Sequence, residues 1–173
     1  MAVTTGFSKP YVATYQESEQ NVSYTGGMKL GRGVELSIEV ESADDNIFYA
    51  DNVAAETETG TMTSATGTCT IDGLEDEVAK FVLGLPEPTS ETINESPVNV
   101  YNYGDDMNPP YLGFMAIQRT MLNGVTKYRP VLLTKTKFNI PGDDWATQED
   151  QIDWQTQKLS LSILRMIVRT VID

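Results

Sequence analysis

Val34-Glu35-Leu36-Ser37-Ile38-Glu39-Val40-Glu41 alternates without a break, aliphatic at each even position and polar or acidic at each odd one. Period two sends successive side chains to opposite faces, so these residues are expected to form a strand. One face, with Val34, Leu36, Ile38 and Val40, is expected to be buried. The other holds Glu35, Glu39 and Glu41 together, where like charges repel at some cost in stability. Such a face is either a solvated outer surface or the wall of a negatively charged channel.

The same signal recurs on both sides of this stretch. Residues 11–15 and 22–24 read as short strands, the second ending at a Gly26-Gly27 turn. Residues 68–71 and 98–103 read as strands. Asn123-Gly124 predicts a type I′ hairpin between strands at 111–122 and 125–138. The first of these is apolar on both parities, which predicts burial on both faces. Pro130 in the second predicts an edge or a bulge. Leu159, Leu161 and Ile163 alternate with Ser160 and Ser162 in a last strand that starts near Trp154.

One helix is expected, over about residues 73–84. Asp72 suits the N-cap with Glu75 as its capping-box partner, and Glu75, Asp76 and Glu77 favour the positive end of the dipole. Leu74, Val78, Phe81, Val82 and Leu85 share a face. Gly84 suits the C-terminal cap, and Pro86 and Pro88 prevent continuation. Residues 86–97 read as loop. Residues 44–66 form a long polar stretch around Phe48-Tyr49, expected to be an extended loop or hairpin arm over about residues 42–67. Exposed aromatics in such an arm would mark a contact surface.

The sum is about eight strands and one helix, without the strand–helix alternation of a parallel sheet. The expected fold class is mainly β: an antiparallel β-sandwich or barrel with one flanking α-helix and a long arm. A chain of 173 residues is expected to form a single domain over 1–173. Its apolar fraction of 40% is that of a globular chain. There is no apolar run of the roughly 18 residues that a membrane span needs, and residues 1–6 lack the basic and apolar regions of a signal peptide. The one cysteine, Cys69, lies among threonines and reads as a small strand residue.

Net charge is −13, from 25 acids against 12 bases. Tight binding to nucleic acid needs cations on phosphates, which this balance argues against. A surface that DNA passes without sticking remains compatible with it. There is no histidine, which removes the commonest general base and most zinc sites. The glycines at 26–33 lack the Gly-Lys-Ser/Thr ending of a phosphate loop. Carboxylates cluster at Asp44-Asp45, Asp105-Asp106, Asp143-Asp144 and Glu149-Asp150 with Asp153. A metal-dependent hydrolase built on these pairs is the alternative reading, although paired aspartates in loops more often cap turns. No catalytic residue, metal or cofactor is expected. Arg119, Lys127, Arg129, Lys135 and Lys137 all fall on the predicted hairpin, where they are candidates for contacts between acidic subunits.

Four ordered motifs carry a family resemblance that runs from about Phe7 to about Arg165. They are Phe48-Tyr49-Ala50-Asp51-Asn52 with the Ala/Glu-rich residues after it; Tyr103-Gly104-Asp105-Asp106 with Pro109-Pro110-Tyr111-Leu112-Gly113; Gly124, Tyr128-Arg129-Pro130 and Lys135-Thr136-Lys137-Phe138; and Thr147-Gln148-Glu149 with Ile152-Asp153-Trp154-Gln155-Thr156-Gln157. Together they resemble the major tail protein of long-tailed bacteriophages, the tail-tube subunit. The ending Leu164-Arg165-Met166-Ile167-Val168-Arg169-Thr170-Val171-Ile172 stays apolar and basic and departs from the family, which usually turns acidic and polar there. The resemblance implies a structural virion protein, not an enzyme, made in the bacterial host cytoplasm. It implies hexameric rings stacked into a hollow tube for DNA delivery, with other tail proteins as partners and no membrane. On that implication Phe48, Tyr49, Asp51 and Asn52 are candidates for contacts between rings, and Glu35, Glu39 and Glu41 for the lumen. A capsid decoration protein or a secreted tube protein of similar fold would share these features.

Overall fold

Runs of alternating residues and the turn signals between them resolve into strands joined by tight connections. The computed structural model describes residues 2–19, 21–50, 52–104, 106–142 and 155–168. In chain order the elements are β1 (Ala2–Glu17), β2 (Val22–Lys29), β3 (Gly33–Ser42), β4 (Asn46–Ala50), β5 (Val53–Glu58), β6 (Met62–Ile71), α1 (Asp76–Leu83), β7 (Thr89–Ile93), β8 (Ser96–Val100), β9 (Leu112–Leu122), β10 (Val125–Phe138) and β11 (Gln157–Val168). Seven strands form one sheet in the order β2-β1-β9-β10-β11-β6-β3. Each ladder in it is antiparallel. Two ribbons, β4-β5 and β7-β8, stand apart from it.

Register sets the two faces. Leu36, Cys69 and Leu159 lie in one cross-strand row, and Ile38, Gly67, Leu161 and Phe138 in the next. These rows face the core. Phe114, Leu133, Phe138, Leu159 and Leu161 are fully buried there, and α1 adds Val78, Ala79, Val82 and Leu83. The Phe114 and Phe138 rings meet at 6.4 Å. The sheet curls until its edge strand β3 approaches β1. The Phe7 ring then lies over Gly33, where a Cβ would sit 2.5 Å from it. The antiparallel sheet with a single flanking helix is the architecture expected from the sequence.

Register also sets two ends. Gly33, Ile71, Gln157, Phe138 and Leu112 mark one, from which the chain enters α1; it is called the helix end below. Ser42, Met62, Val125 and Leu122 lie toward the other, which gives rise to the β4-β5 ribbon and the β9-β10 turn. This is the arm end.

Several local expectations need correction. Gly26-Gly27 is not a turn but lies inside β2. Val12 pairs with Met28 and Thr14 with Thr25, so the extra residue bulges, with Gly26 at φ +64°. The turn comes earlier, where Ser18 and Asn21 exchange backbone hydrogen bonds. Val34 and Val40 are exposed, because β3 is an edge strand and a register shift falls between Gly33 and Glu35. The helix starts later than expected, with Glu75 at the N-cap and no side-chain cap bond. Asp72 is not the cap; its carboxylate accepts instead from the Arg32 backbone and side chain. Gly84 does cap the C-terminus in the left-handed conformation. Residues 86–97 are not all loop. They include β7 and part of β8, joined by Asn94 and Glu95, both at positive φ. β9 is buried mainly on one face, through Leu112, Phe114 and Ala116, while Met115 is exposed. The shift in the β9-β10 register falls between Leu133 and Thr136, not at Pro130. Trp154 lies outside the described residues.

Candidate assembly surfaces

Three surfaces collect the residues singled out from the sequence. The first is the arm. Its base is closed by Ala43 N–H donating to the Thr61 carbonyl at 2.9 Å and by Gly60 N–H donating to Asp45 Oδ1 at 3.0 Å. Beyond the base, β4 and β5 pair only with each other. Phe48 and Tyr49 are 64% and 62% exposed, and Ile47 and Val53 are exposed beside them. A two-stranded ribbon alone in water is marginally stable at best, so this apolar display suits a partner. Phe48 pairs across the ribbon with Glu56, and a register shift follows before Tyr49. Asn52 sits at the tip with φ +63°; Asp51 lies outside the described residues.

The second surface is the sheet face turned away from the core. Glu35, Thr70 and Lys158 form one row, Ser37, Thr68 and Ser160 the next, and Glu39, Thr66, Ser162 and Lys137 a third. Glu41 follows opposite Ser64, whose hydroxyl donates to Glu41 Oε2 at 2.7 Å. Glu35, Glu39 and Glu41 are thus brought to one exposed face, on a background of hydroxyls. Short hydroxylated side chains predominate on it, and Lys158 and Lys137 stand in the same rows as Glu35 and Glu39, so it carries both signs of charge.

The third surface is basic and divides in two. Arg119, Lys127 and Arg129 lie at the far end of the β9-β10 hairpin, with Arg119 directly opposite Tyr128. Val3 pairs with Met121 beside them, and Val3, Met121, Leu122, Val125 and Tyr128 are all exposed. Lys135 and Lys137 lie near the helix end instead. The Lys135 ammonium stands 4.9 Å from both the Tyr15 and Tyr111 ring centroids and 3.2 Å from Glu17 Oε2. Lys137 lies 5.8 Å from the Tyr111 centroid. Cations over aromatic faces hold a cluster within the subunit. Tyr24 completes it, edge-on to Tyr15 at 6.0 Å, its hydroxyl donating to the Thr134 carbonyl at 2.9 Å. Burial, and then the neighbouring Tyr15, push the Tyr24 phenol above its ordinary pKa.

No family model and no curated protein matches this chain. The surfaces therefore stand on their geometry and chemistry alone.

Of the carboxylate clusters, Asp44, Asp45 and Asp106 fall among the described residues. Asp45 caps the base of the arm. Asp105, Asp143, Asp144, Glu149, Asp150 and Asp153 lie outside the described residues. Among the described residues, no three His, Cys, Asp or Glu side chains converge as a metal site would require. The Arg32 guanidinium and backbone N–H donate to the Asp72 carboxylate, and those hydrogen bonds hold its pKa below the usual range. Cys69 is fully buried, which pushes its thiol up to about 12. Among the described residues no helix is long and apolar enough to cross a membrane.

Two of these features could not be read ahead. The tyrosines that hold Lys135 come from segments more than 20 residues distant in sequence. The β7-β8 ribbon lacks a glycine at its turn, the usual hairpin signal. Thr89–Ile93 and Ser96–Val100 are exposed along nearly their whole length, with Ile93 and Val98 among the outward apolar side chains.

Proposed function

We infer that this chain is a structural subunit that assembles with copies of itself into stacked rings, forming the tail tube of a bacteriophage. The observation that carries the reading is the arm: a paired ribbon, detached from the main sheet, presenting Phe48 and Tyr49 to solvent. Exposed aromatics on a marginal ribbon favour burial against a partner. The four ordered sequence motifs point to the tail-tube subunit, and a chain of net charge −13 with three glutamates on a hydroxyl-rich sheet face suits a lumen over which DNA slides. On this reading the arm makes the contact between rings. Glu35, Glu39 and Glu41 line the passage for DNA, and the protein works in the virion with other tail proteins as partners and without catalysis.

Negative-stain electron microscopy beside light scattering, at high and low protein concentration, tests the reading. Rings or hollow tubes are expected. The Phe48→Ala/Tyr49→Ala variant is expected to lose polymerisation while keeping its fold by circular dichroism. Normal tubes from that variant would remove the arm from the contact, and a monomer at every concentration would count against the assembly itself.

A further inference from the structure

We propose that the outer face of β1-β9-β10 receives the β4-β5 arm of another copy of this chain, with Phe48 and Val53 of the arm lying on Met115, Met121 and Tyr128. This docking rests on the stacked assembly proposed above and names the surface that takes the arm. Strand parity divides the sheet. Val12, Phe114 and Leu133 form one cross-strand row and Ala116 and Val131 the next, and these face the core. The rows between them face outward. Tyr11, Met115 and Leu132 make one, Ile117 and Pro130 the next, Arg119 and Tyr128 the third, and Val3 and Met121 the last. Tyr11, Met115, Tyr128, Val3 and Met121 are exposed. Within these three strands Arg119 is the one charged residue of those rows. Hydroxyls, glutamates and lysines occupy the same face on β11-β6-β3, so this half alone is apolar. A strand apolar on both parities is suited to cover on both sides, and the single chain covers β9 on one. Toward the helix end the outer side of β9 is already roofed, since the Tyr24 ring lies over Gly113. The open strip starts at Met115. Contiguous outward apolar side chains mark a contact surface.

The arm matches this strip in size, polarity and charge. β4 has five residues and β5 six, so the ribbon is about 17–20 Å long and about 10 Å wide. The four outward rows span about 20 Å along strands that together occupy about 14 Å. Phe48 stands opposite Glu56, and Val53 opposite Ala50 on the same side of the ribbon. That side presents an aromatic and an aliphatic side chain beside a carboxylate. The strip presents methionines and a tyrosine beside Arg119, whose guanidinium has no ion pair among the described residues. Laid together, Glu56 meets Arg119 while Phe48 lies on the methionine thioethers, a favourable pairing for a ring. Residues 43–62 contain Glu56, Glu58 and three aspartates and no base, which favours approach to the cation. Reach agrees as well. Copies stacked in one polarity set the arm end of each against the helix end of its neighbour. Residues 43–50 span about 27 Å when extended. The row with Met115 lies three residues from Leu112 at the helix end, about 10 Å away. A contact between unlike patches can repeat indefinitely, as stacking requires. The β7-β8 ribbon also turns apolar side chains outward, but residues 89–100 contain no aromatic; it is the competing occupant.

Photo-crosslinking tests the docking without assuming the direction of the ribbon. Phe48 is replaced by p-benzoylphenylalanine, and the variant is mixed at high concentration with isotope-labelled wild-type chain, irradiated and digested for mass spectrometry. Adducts on labelled peptides of residues 3–11 or 112–132 are expected. Adducts on labelled peptides from elsewhere in the chain would overturn the proposal, and adducts on unlabelled peptides alone would place the arm on its own subunit. The same probe at Val98 serves as the comparison: adducts on residues 112–132 from Val98 and not from Phe48 would give the face to β7-β8. Charge reversal gives a second readout, which decides should the Phe48 probe itself prevent assembly. Glu56→Arg and Arg119→Glu are each expected to raise the concentration needed for assembly by about tenfold, and the two together in one chain to restore it. Wild-type assembly by both single variants would overturn the pairing of Glu56 with Arg119. If wild-type tubes form and the Phe48 adducts lie elsewhere, the docking is wrong and the tube reading stands. If the adducts lie on this strip of another chain and no tube forms, the docking stands and the tube reading falls. If neither occurs, both fall.

Discussion

Gly113→Ala is expected to destabilise the fold far beyond the size of one methyl group. Gly113 is buried in β9 beneath the Tyr24 ring, and a Cβ built there would sit 2.3 Å from one ring carbon and 2.6 Å from the next. Relief requires the ring to move, yet it is pinned at both ends. Its hydroxyl donates to the Thr134 carbonyl at 2.9 Å and its edge meets Tyr15 at 6.0 Å. Overpacking of this kind costs about 1–3 kcal/mol. Loss of the Tyr24 hydrogen bond adds about 1 kcal/mol. The stiffer unfolded chain returns about 0.4–1 kcal/mol. The net expectation is about 1–3.6 kcal/mol, a lowering of the urea midpoint by about 1 M. Urea unfolding followed by far-ultraviolet circular dichroism, at a concentration that keeps the chain unassembled, measures it. The decisive comparison is Gly113→Ala in a Tyr24→Ala background. With the ring gone the methyl has room, and the substitution is expected to become neutral or stabilising by up to about 1 kcal/mol. Equal costs in the two backgrounds would refute the reasoning.

Three further outcomes follow from named contacts. Cys69, with its thiol pushed up to about 12, is expected to resist a thiol reagent at pH 8 in the native protein and to react fully in denaturant; rapid native labelling would contradict the burial. Asp72 has a folded pKa below its ordinary value because Arg32 donates to it. Its contribution is therefore present above the ordinary carboxylate range and lost as pH falls through the folded value. Asp72→Asn should lower the melting temperature at pH 7 by an amount that shrinks to nothing in acid, and the effect is small because the pair is exposed; a pH-independent difference would exclude the ion pair as its source. Glu95 holds φ +64° in the β7-β8 turn, so Glu95→Gly is expected to stabilise that ribbon by about 1 kcal/mol and slow exchange of its amides about fivefold. Unchanged exchange would show that the turn carries no strain.

Strand positions were legible where they depend on local patterning, and less so where they depend on neighbours. The alternation at 34–41 located β3 and placed Glu35, Glu39 and Glu41 on a shared face. It could not tell that β3 is an edge strand, and so it buried Val34 and Val40, which are exposed. Asn123-Gly124 was read correctly because the turn residues themselves impose positive φ. Gly26-Gly27 carried the same local signal and became a bulge, because β1 continues alongside and keeps β2 extended. Asp72 had the residue type of a cap but found Arg32, forty positions away. Lys135 was legible as a base, while its tyrosine neighbours were not. The basic hairpin thus divides into Arg119, Lys127 and Arg129 toward its turn and a pair of lysines near the helix end, where Lys135 is held between two tyrosines.

The strand order has a bearing on how the protein comes off the ribosome. Strand β1 lies in the sheet between β2 and β9, and its longest ladder pairs Phe7 with Gln118. At about 5–20 residues per second, β9 emerges roughly 5–20 s after β1. For that interval the only sheet neighbour available to β1 is β2, and a lone pair of strands is barely stable. Strand β1, made before the other strands of this sheet, is thus locked in place only when β9 arrives. Nascent chains arrested before Leu112 are expected to leave the β1 amides open to exchange, and protection there would mean that β1 finds another partner first. Until the β9-β10 hairpin is complete, the apolar side chains of β1 are available to any other chain that reaches them, so crowded synthesis favours aggregation at this step.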